Sequence, residues 1–554
     1  MTRRAAEQLQ IVEFRDTRGY FSFSRDLIFL EHVSWSRYNR SVRALDPAIV
    51  QPFTAAAVAA YNKNAAASAL PTGQFNVLGG MTFAGVNGQP RELYNTPKNN
   101  WLPRFGFAYQ LRANTVLRGG FGVYQGFLGE RRGDVVTTGY SQQTPFVPFA
   151  TDGTTLIGTL SNPFPNGLVQ PVGSALGGQT AIGQNITVFN QTPLMPRMYR
   201  WMMNVQHQLG GGFLVEASYV GNKGIRIELD RNINGLPDQY LSTLPFRDNS
   251  TTCTAGQGCG NGYLTGSVPN PFFGLALPPG TPSGFTGSTI SRQQLLLPYP
   301  QFGAITTTSN DGYSWYHSAQ IRVEKRFGRD LTLAGNYTYS KYMQATELLN
   351  SGDAKPTRII SDQDVPHRFA ANWIYELPFG KGRSFVTGAN AFVDRLVGGW
   401  EVSGVWSFQS GFPLSFGSFS TTMTSSNGDY FLIADPSLAV RPVDERNADR
   451  WFNVTPFVTP SAAQPASHLR VNPYRFAGLR GPRVNNVDMA VIKDTRLRIE
   501  GQHIRFSVQA LNLFNHPLLP TPNLSVSNLQ FGQAVGSIQG NYPRRLQLEF
   551  KYIF

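Results

Sequence analysis

The last eleven residues, Arg544 to Phe554, read RRLQLEFKYIF and end on an aromatic carboxyl terminus. Leu546, Leu548, Phe550, Tyr552 and Phe554 share one parity, while Arg545, Gln547, Glu549, Lys551 and Ile553 share the other. A strand points alternate side chains to opposite faces, so one face here is wholly apolar and the other mostly charged. A soluble sandwich could bury such a face against a second sheet. A chain that stops on Phe, with no polar tail, reads instead as the closing strand of a membrane-spanning barrel. Its apolar face would meet lipid and its polar face would line the lumen.

The same alternation recurs upstream. In 318–327, Ala319, Ile321, Val323 and Phe327 oppose Ser318, Gln320, Arg322 and Glu324. Segments 213–219, 331–340, 369–377, 402–409 and 503–510 follow the same rule. Weaker candidates are 105–112, 115–124, 200–209, 484–493 and a stretch within 9–36. The connections alternate too. Ala113-Asn114, Gly210-Gly211-Gly212 and Gly328-Arg329-Asp330 are hairpin links. Long segments lie between them, at 37–104, 125–199, 221–314, 342–366, 410–483 and 513–542, with intermediate links at 378–398 and 494–501. Outer-membrane barrels alternate short periplasmic turns with longer extracellular loops. The expected fold is therefore all-β: a transmembrane antiparallel outer-membrane β-barrel, with about 13 strands here. Counting strands forward from Gly328-Arg329-Asp330 brings Phe554 to the periplasmic side. Within the first long segment, Ala-rich Thr54–Leu70 suggests a short helix.

Composition agrees with this reading. No run of 18 or more apolar residues occurs, so no segment reads as a transmembrane helix. The formal charge of +14 is scattered rather than gathered into a basic stripe, which argues against nucleic-acid binding. The cations suit solvated loops and lumen, or attraction to anionic lipopolysaccharide or an anionic solute. Aromatic residues near strand ends, Tyr337, Tyr339, Trp373, Tyr375, Trp406 and Phe408, suggest an interfacial girdle. The two cysteines, Cys253 and Cys259, sit in the Gly-containing stretch CTAGQGC. That spacing suits a local disulfide in an oxidising compartment, and two ligands are too few for structural zinc. Asp362, Asp364 and His367 fall close together, but a polar strand entrance explains them better than a metal site. No GxSxG, HExxH or Walker pattern is present, so no catalytic set, metal or cofactor is assigned.

Ordered motifs then carry a resemblance. They include FNVLGGMTFAGVNGQPR (75–91), NNWLPRFGFAYQL (99–111), TVLRGGFGVYQG (115–126), VEASYVGNKG (215–224) and YHSAQIRVEKRF (316–327). DVPHRFAANWIYELPFGKGR (364–383), LVGGWEVSGVWSFQSGFP (396–413), LRGPRVNNVDMAVIKD (479–494) and LNLFNHPLLPTP (511–522) continue the series. In this order they resemble the Oar-like TonB-dependent receptors. The resemblance implies a barrel of roughly 22 strands, an N-terminal plug, a preceding β-sandwich and a TonB box. It further implies import of a solute across the outer membrane, and assembly machinery that reads the terminal strand. It covers 30–554, while 1–29 match poorly. MTRRAAEQLQIVEF offers no apolar leader core, and no plug, sandwich or TonB box is recognised. The expectation is a C-terminal barrel portion, whose engagement of the TonB complex depends on an N-terminal region. The alternative is a non-transporting surface protein that uses the barrel as a platform for adhesive loops.

Overall fold

The computed structural model describes the chain outside residues 1–9, 17–18, 27–39, 65–69, 127–134, 326–329, 418–434, 498–500 and 537–539. Short gaps also fall at 96, 98–99, 136–137, 142–143, 145, 147–148, 150–152, 166 and 461, and residues 10–26 are described by backbone alone. Phe327, Gly328 and Arg329 of the expected 318–327 strand and its turn lie outside these residues.

One large antiparallel sheet organises the chain. Its successive strands are β1 (Gln10–Asp16), β2 (Gly19–Asp26), β3 (Leu102–Arg112), β4 (Thr115–Gln125), β5 (Arg197–Gln208), β6 (Phe213–Asn232) and β7 (Ile305–Lys325). β8 (Leu331–Ala345), β9 (His367–Glu376), β10 (Trp400–Gln409), β11 (Val484–Arg496), β12 (His503–Leu511) and β13 (Arg545–Ile553) complete it. Each pairs with its sequence neighbours, a simple meander. Among the described residues β1 pairs only with β2 in this sheet and β13 only with β12. The short links all fall at one end of the sheet, which also holds Phe554; we call it the turn end. The long segments all fall at the other, the loop end.

Register explains how the alternating segments become a membrane wall. Directly paired residues share a face. Leu117, Val205, Ala217, Ile321, Tyr337, Phe369 and Phe408 stand side by side from β4 to β10. The adjacent row, on the opposite face, reads Arg118, Asn204, Ser218, Gln320, Thr338, Arg368 and Gln409. The first row is apolar throughout and the second polar throughout. A register slip of one residue would exchange the two faces, so the pattern fixes the pairing.

Glycines on the apolar face seat neighbouring rings. Phe107 lies opposite Gly119, Trp201 opposite Gly221 and Trp373 opposite Gly404. A Cβ added at these glycines would lie 2.3–2.4 Å from the facing ring. Each aromatic ring therefore covers the space that a glycine leaves.

Two strands are longer than sequence reasoning placed them. β6 has 20 residues and β7 has 21. At about 3.3 Å per residue each runs over 60 Å, well beyond the roughly 25 Å apolar band of such barrels. The alternation Ile225, Ile227, Leu229 continues past Gly221 and Gly224, which punctuate the sequence without ending the strand. A bulge hides the continuity: Arg226 has φ 57°, and the pairing shifts between Ser309 and Gly312.

The long segments fold. Helix α1 (Thr54–Lys63) fills part of the Ala-rich stretch. Its Tyr61 stacks on Phe75 with ring centroids 4.1 Å apart. It packs in an apolar core shared with the hairpin of Val42–Val50 and Leu78–Phe83 and with Phe272 and Phe302. A second core gathers Leu414, Phe416, Phe452, Phe457, Leu479 and Phe531, and a third Leu236, Leu241, Leu264 and Leu297. The loop end is thus a packed layer with its apolar residues inward, unlike the sheet beneath it.

Candidate ligand-binding site

The layer is fastened by arginines that the sequence reading passed over. Arg470, Arg475 and Arg480 recur every five residues and all turn inward. Arg480 donates to Asp364 Oδ2 (2.5 Å), to the Asp364 carbonyl (2.9 Å) and to the Gly411 carbonyl (3.1 Å). Asp364 is fully buried and also accepts from the Tyr342 amide. Arg475 donates to Glu347 (2.9 Å) and to the Ile360 carbonyl (3.0 Å). Arg470 lies 4.0 Å over the Tyr474 ring and donates to the Phe416 and Asn472 carbonyls. Three segments distant in sequence are thereby held in one arrangement. The available signal was the spacing R-x4-R-x4-R among apolar residues, with Glu347 and Asp364 as acidic partners in another loop.

Beside Arg480 opens a cavity of about 440 Å³. Its wall comes from the end of β10 and Ser410-Gly411, from Val443, Arg446 and Trp451, from 480–486, and from 516–519 with Asn541. Trp451 stands as one wall because its indole donates to the Arg480 carbonyl (2.7 Å). Arg446 is set by its own donation to the Arg441 carbonyl (2.9 Å), with its guanidinium 6.0 Å from the Trp451 ring centre. Burial pushes the Arg446 pKa down, and the neighbouring Arg483 charge pushes it further. No Asp or Glu lines the cavity, and among the described residues no carboxylate pairs with Arg446 or Arg483. The arrangement offers two cations and an aromatic wall lining one cavity.

The residues singled out from sequence lie elsewhere. Cys253 and Cys259 pair across a small hairpin and are disulfide-bonded, within the loop layer. Leu546, Leu548, Phe550 and Tyr552 stand opposite Ala510, Val508, Phe506 and Ile504. Phe554 follows the strand and stacks on Tyr552. Trp373 and Tyr375 sit toward the turn end of β9. Tyr337, Tyr339, Trp406 and Phe408 lie farther toward the loop end, on the same face by register. His367 shares that face, and its Nδ1 lies 2.8 Å from the Tyr337 hydroxyl. Asp364 is committed to Arg480 instead, so Asp362, Asp364 and His367 do not converge. Among the described residues no group of three or more His, Cys, Asp or Glu could hold a metal.

The sheet and its packed loop end define the class, and comparison gives the family. The model of the outer membrane beta barrel domain matches residues 33–547, and the chain belongs to that family. Its place is the outer membrane. No curated protein matches the sequence. Among solved structures it is similar to the outer membrane transporter YddB from Escherichia coli (11% identity, TM-score 0.32), covering 97% of this chain and 44% of that one. It is similar also to the FrpB iron transporter from Neisseria meningitidis (10% identity, TM-score 0.34; 98% and 54% covered). A third is the ferripyoverdine receptor of Pseudomonas aeruginosa (8% identity, TM-score 0.32; 97% and 38% covered). The chain spans about half the length of these structures or less.

Proposed function

We propose that this chain forms barrel wall and outer loops of a TonB-dependent receptor, of the Oar-like kind, that captures a solute and admits it across the outer membrane. The observation that carries the reading is the packed layer confined to one end of a lipid-facing sheet. Loops that serve only as connections need no apolar cores and no buried ion pairs. A layer built at that cost presents a defined surface, as recognition requires. In this reading the loop end faces outward, the turn end and Phe554 face the periplasm, and lipopolysaccharide surrounds the outer rim. The terminal strand is what the assembly machinery reads. The edges of β1 and β13 would be prohibitive in lipid if left unpaired. Energy coupling to TonB, in this reading, depends on an N-terminal region that carries a plug and TonB box.

Comparing cells with and without the gene for depletion of solutes from defined medium tests this. The expected result is one or more solutes whose uptake requires the gene and is abolished by an uncoupler. Unchanged uptake together with lost surface attachment would replace the proposal with an adhesive platform.

A further inference from the structure

We propose that the cavity beside Trp451 binds a small organic anion, its negative group between Arg446 and Arg483 and its apolar part against the indole. The inference deepens the receptor reading and rests on it for biological meaning, although the binding itself does not.

Three observations converge. First, Arg446 lines the cavity half-buried beside the buried Trp451, where desolvation lowers its pKa. Second, the charge that acts on Arg446 is another cation, Arg483. Arg446 is half-buried and Arg483 exposed at the rim of the cavity; like charges close together repel, and an anion between them reverses that sign. Third, the arginine that does have an acidic partner, Arg480, points its guanidinium to Asp364 and Gly411. It closes the wall and leaves the anion to the other two. Guanidinium groups present planar forks matched to carboxylates and similar oxyanions. Val443, Pro482, Val484 and Leu518 make the remaining wall largely apolar, which disfavours a bare inorganic ion and suits a ligand with a hydrocarbon or aromatic portion. Neutral donors are at hand in Asn485 and Asn486.

The test uses the full chain purified from outer membranes in detergent, with benzoate, inorganic phosphate and benzylammonium as probes, titrated by calorimetry. Benzoate is expected to bind, phosphate at least tenfold more weakly, and benzylammonium not at all. Arg446→Gln combined with Arg483→Gln is expected to weaken benzoate at least tenfold. Arg446→Lys with Arg483→Lys keeps the charges and is expected to retain more than the Gln pair. Benzylammonium binding as well as benzoate, benzoate binding unaffected by the Gln pair, or no benzoate binding to the natural protein would each overturn the proposal. The wild-type probe comparison needs no variant to fold. Labelling of intact cells by a membrane-impermeant maleimide at Asn528→Cys reads the separate question of orientation. Benzoate binding with unlabelled Asn528→Cys would keep the site and overturn the outward-facing reading.

Discussion

The sheet and the loop layer are built on opposite plans. In the sheet, Ile321 stands about half exposed among other apolar residues of its row, and the polar row faces the other way. In the layer, Phe272, Phe302 and Phe416 are fully buried, and charged groups such as Asp364 are buried with them. The difference is one of solvent. Lipid accepts apolar side chains without packing them, so the sheet's order comes from hydrogen-bond register. Water does not, so the layer must close a core of its own, and its buried charges then need partners.

The largest expected effect separates the two regions. Arg480→Met strands a buried Asp364 carboxylate, a loss of about 3–5 kcal/mol. Limited proteolysis in membranes should accelerate within 410–483, while heat-modifiability of the sheet is retained. Replacing Asp364 as well, by Leu, should restore much of the resistance, because an apolar pair removes the stranded charge. If both variants are cut equally fast, the pair is not what fastens the layer.

Next is the sheet. Ile321→Lys places a charge on the apolar row at about 2–4 kcal/mol, whereas Gln320→Lys adds one to the polar row. Assembly, read by the heat-dependent gel shift, should fall for the first and hold for the second. Equal assembly would dissolve the distinction between rows.

A smaller effect concerns ring seating. Gly404→Val should cost about 1–3 kcal/mol by displacing Trp373. Gly335→Ala meets nothing nearer than the Ala371 Cβ at 3.9 Å and should be nearly silent. Tryptophan fluorescence and thermal midpoint together decide the matter.

The smallest lies in the layer. Burial, then the Asp353 charge, raises the Asp238 pKa, opposed by a hydrogen bond from Gly352. A carboxyl with a raised folded pKa favours folding while protonated, and loses that contribution as pH climbs from the unfolded value through the folded one. Asp238→Asn should therefore raise the midpoint at neutral pH, and the gain should shrink as pH falls toward the ordinary aspartate value of about 3.9. A gain independent of pH would remove the electrostatic explanation.

The contrast also explains what could be read from sequence. Period-two alternation is a local signal, so β3 to β13 and the meander of short and long links were legible before any coordinates. Gly221 and Gly224 read as the start of a loop, so the full lengths of β6 and β7, which run on through the bulge at Arg226, were not legible. The layer was largely illegible. Its cores join residues more than a hundred positions apart, such as Phe53 with Phe272. Arg480 finds Asp364 from 116 positions away. A cavity assembled from four such segments leaves no short motif, which is why Arg446, Trp451 and Arg483 were not foreseen.

The unequal lengths of the strands have a mechanical consequence. β6 and β7 carry one hydrogen-bonded ladder from the turn end far into the layer, and a ladder of that length is a stiff beam. β10 and β11 stop at Gln409 and Val484. The chain leaves them through Ser410-Gly411 and returns through Gly481-Pro482, the segments that border the cavity. Past that point the pairing resumes, Gly481 donating to the Phe412 carbonyl and Pro413–Ser415 lying beside Arg475–Arg480, so the layer is tied to the sheet on this side too. The cavity therefore lies in the seam where one ladder ends and the next begins.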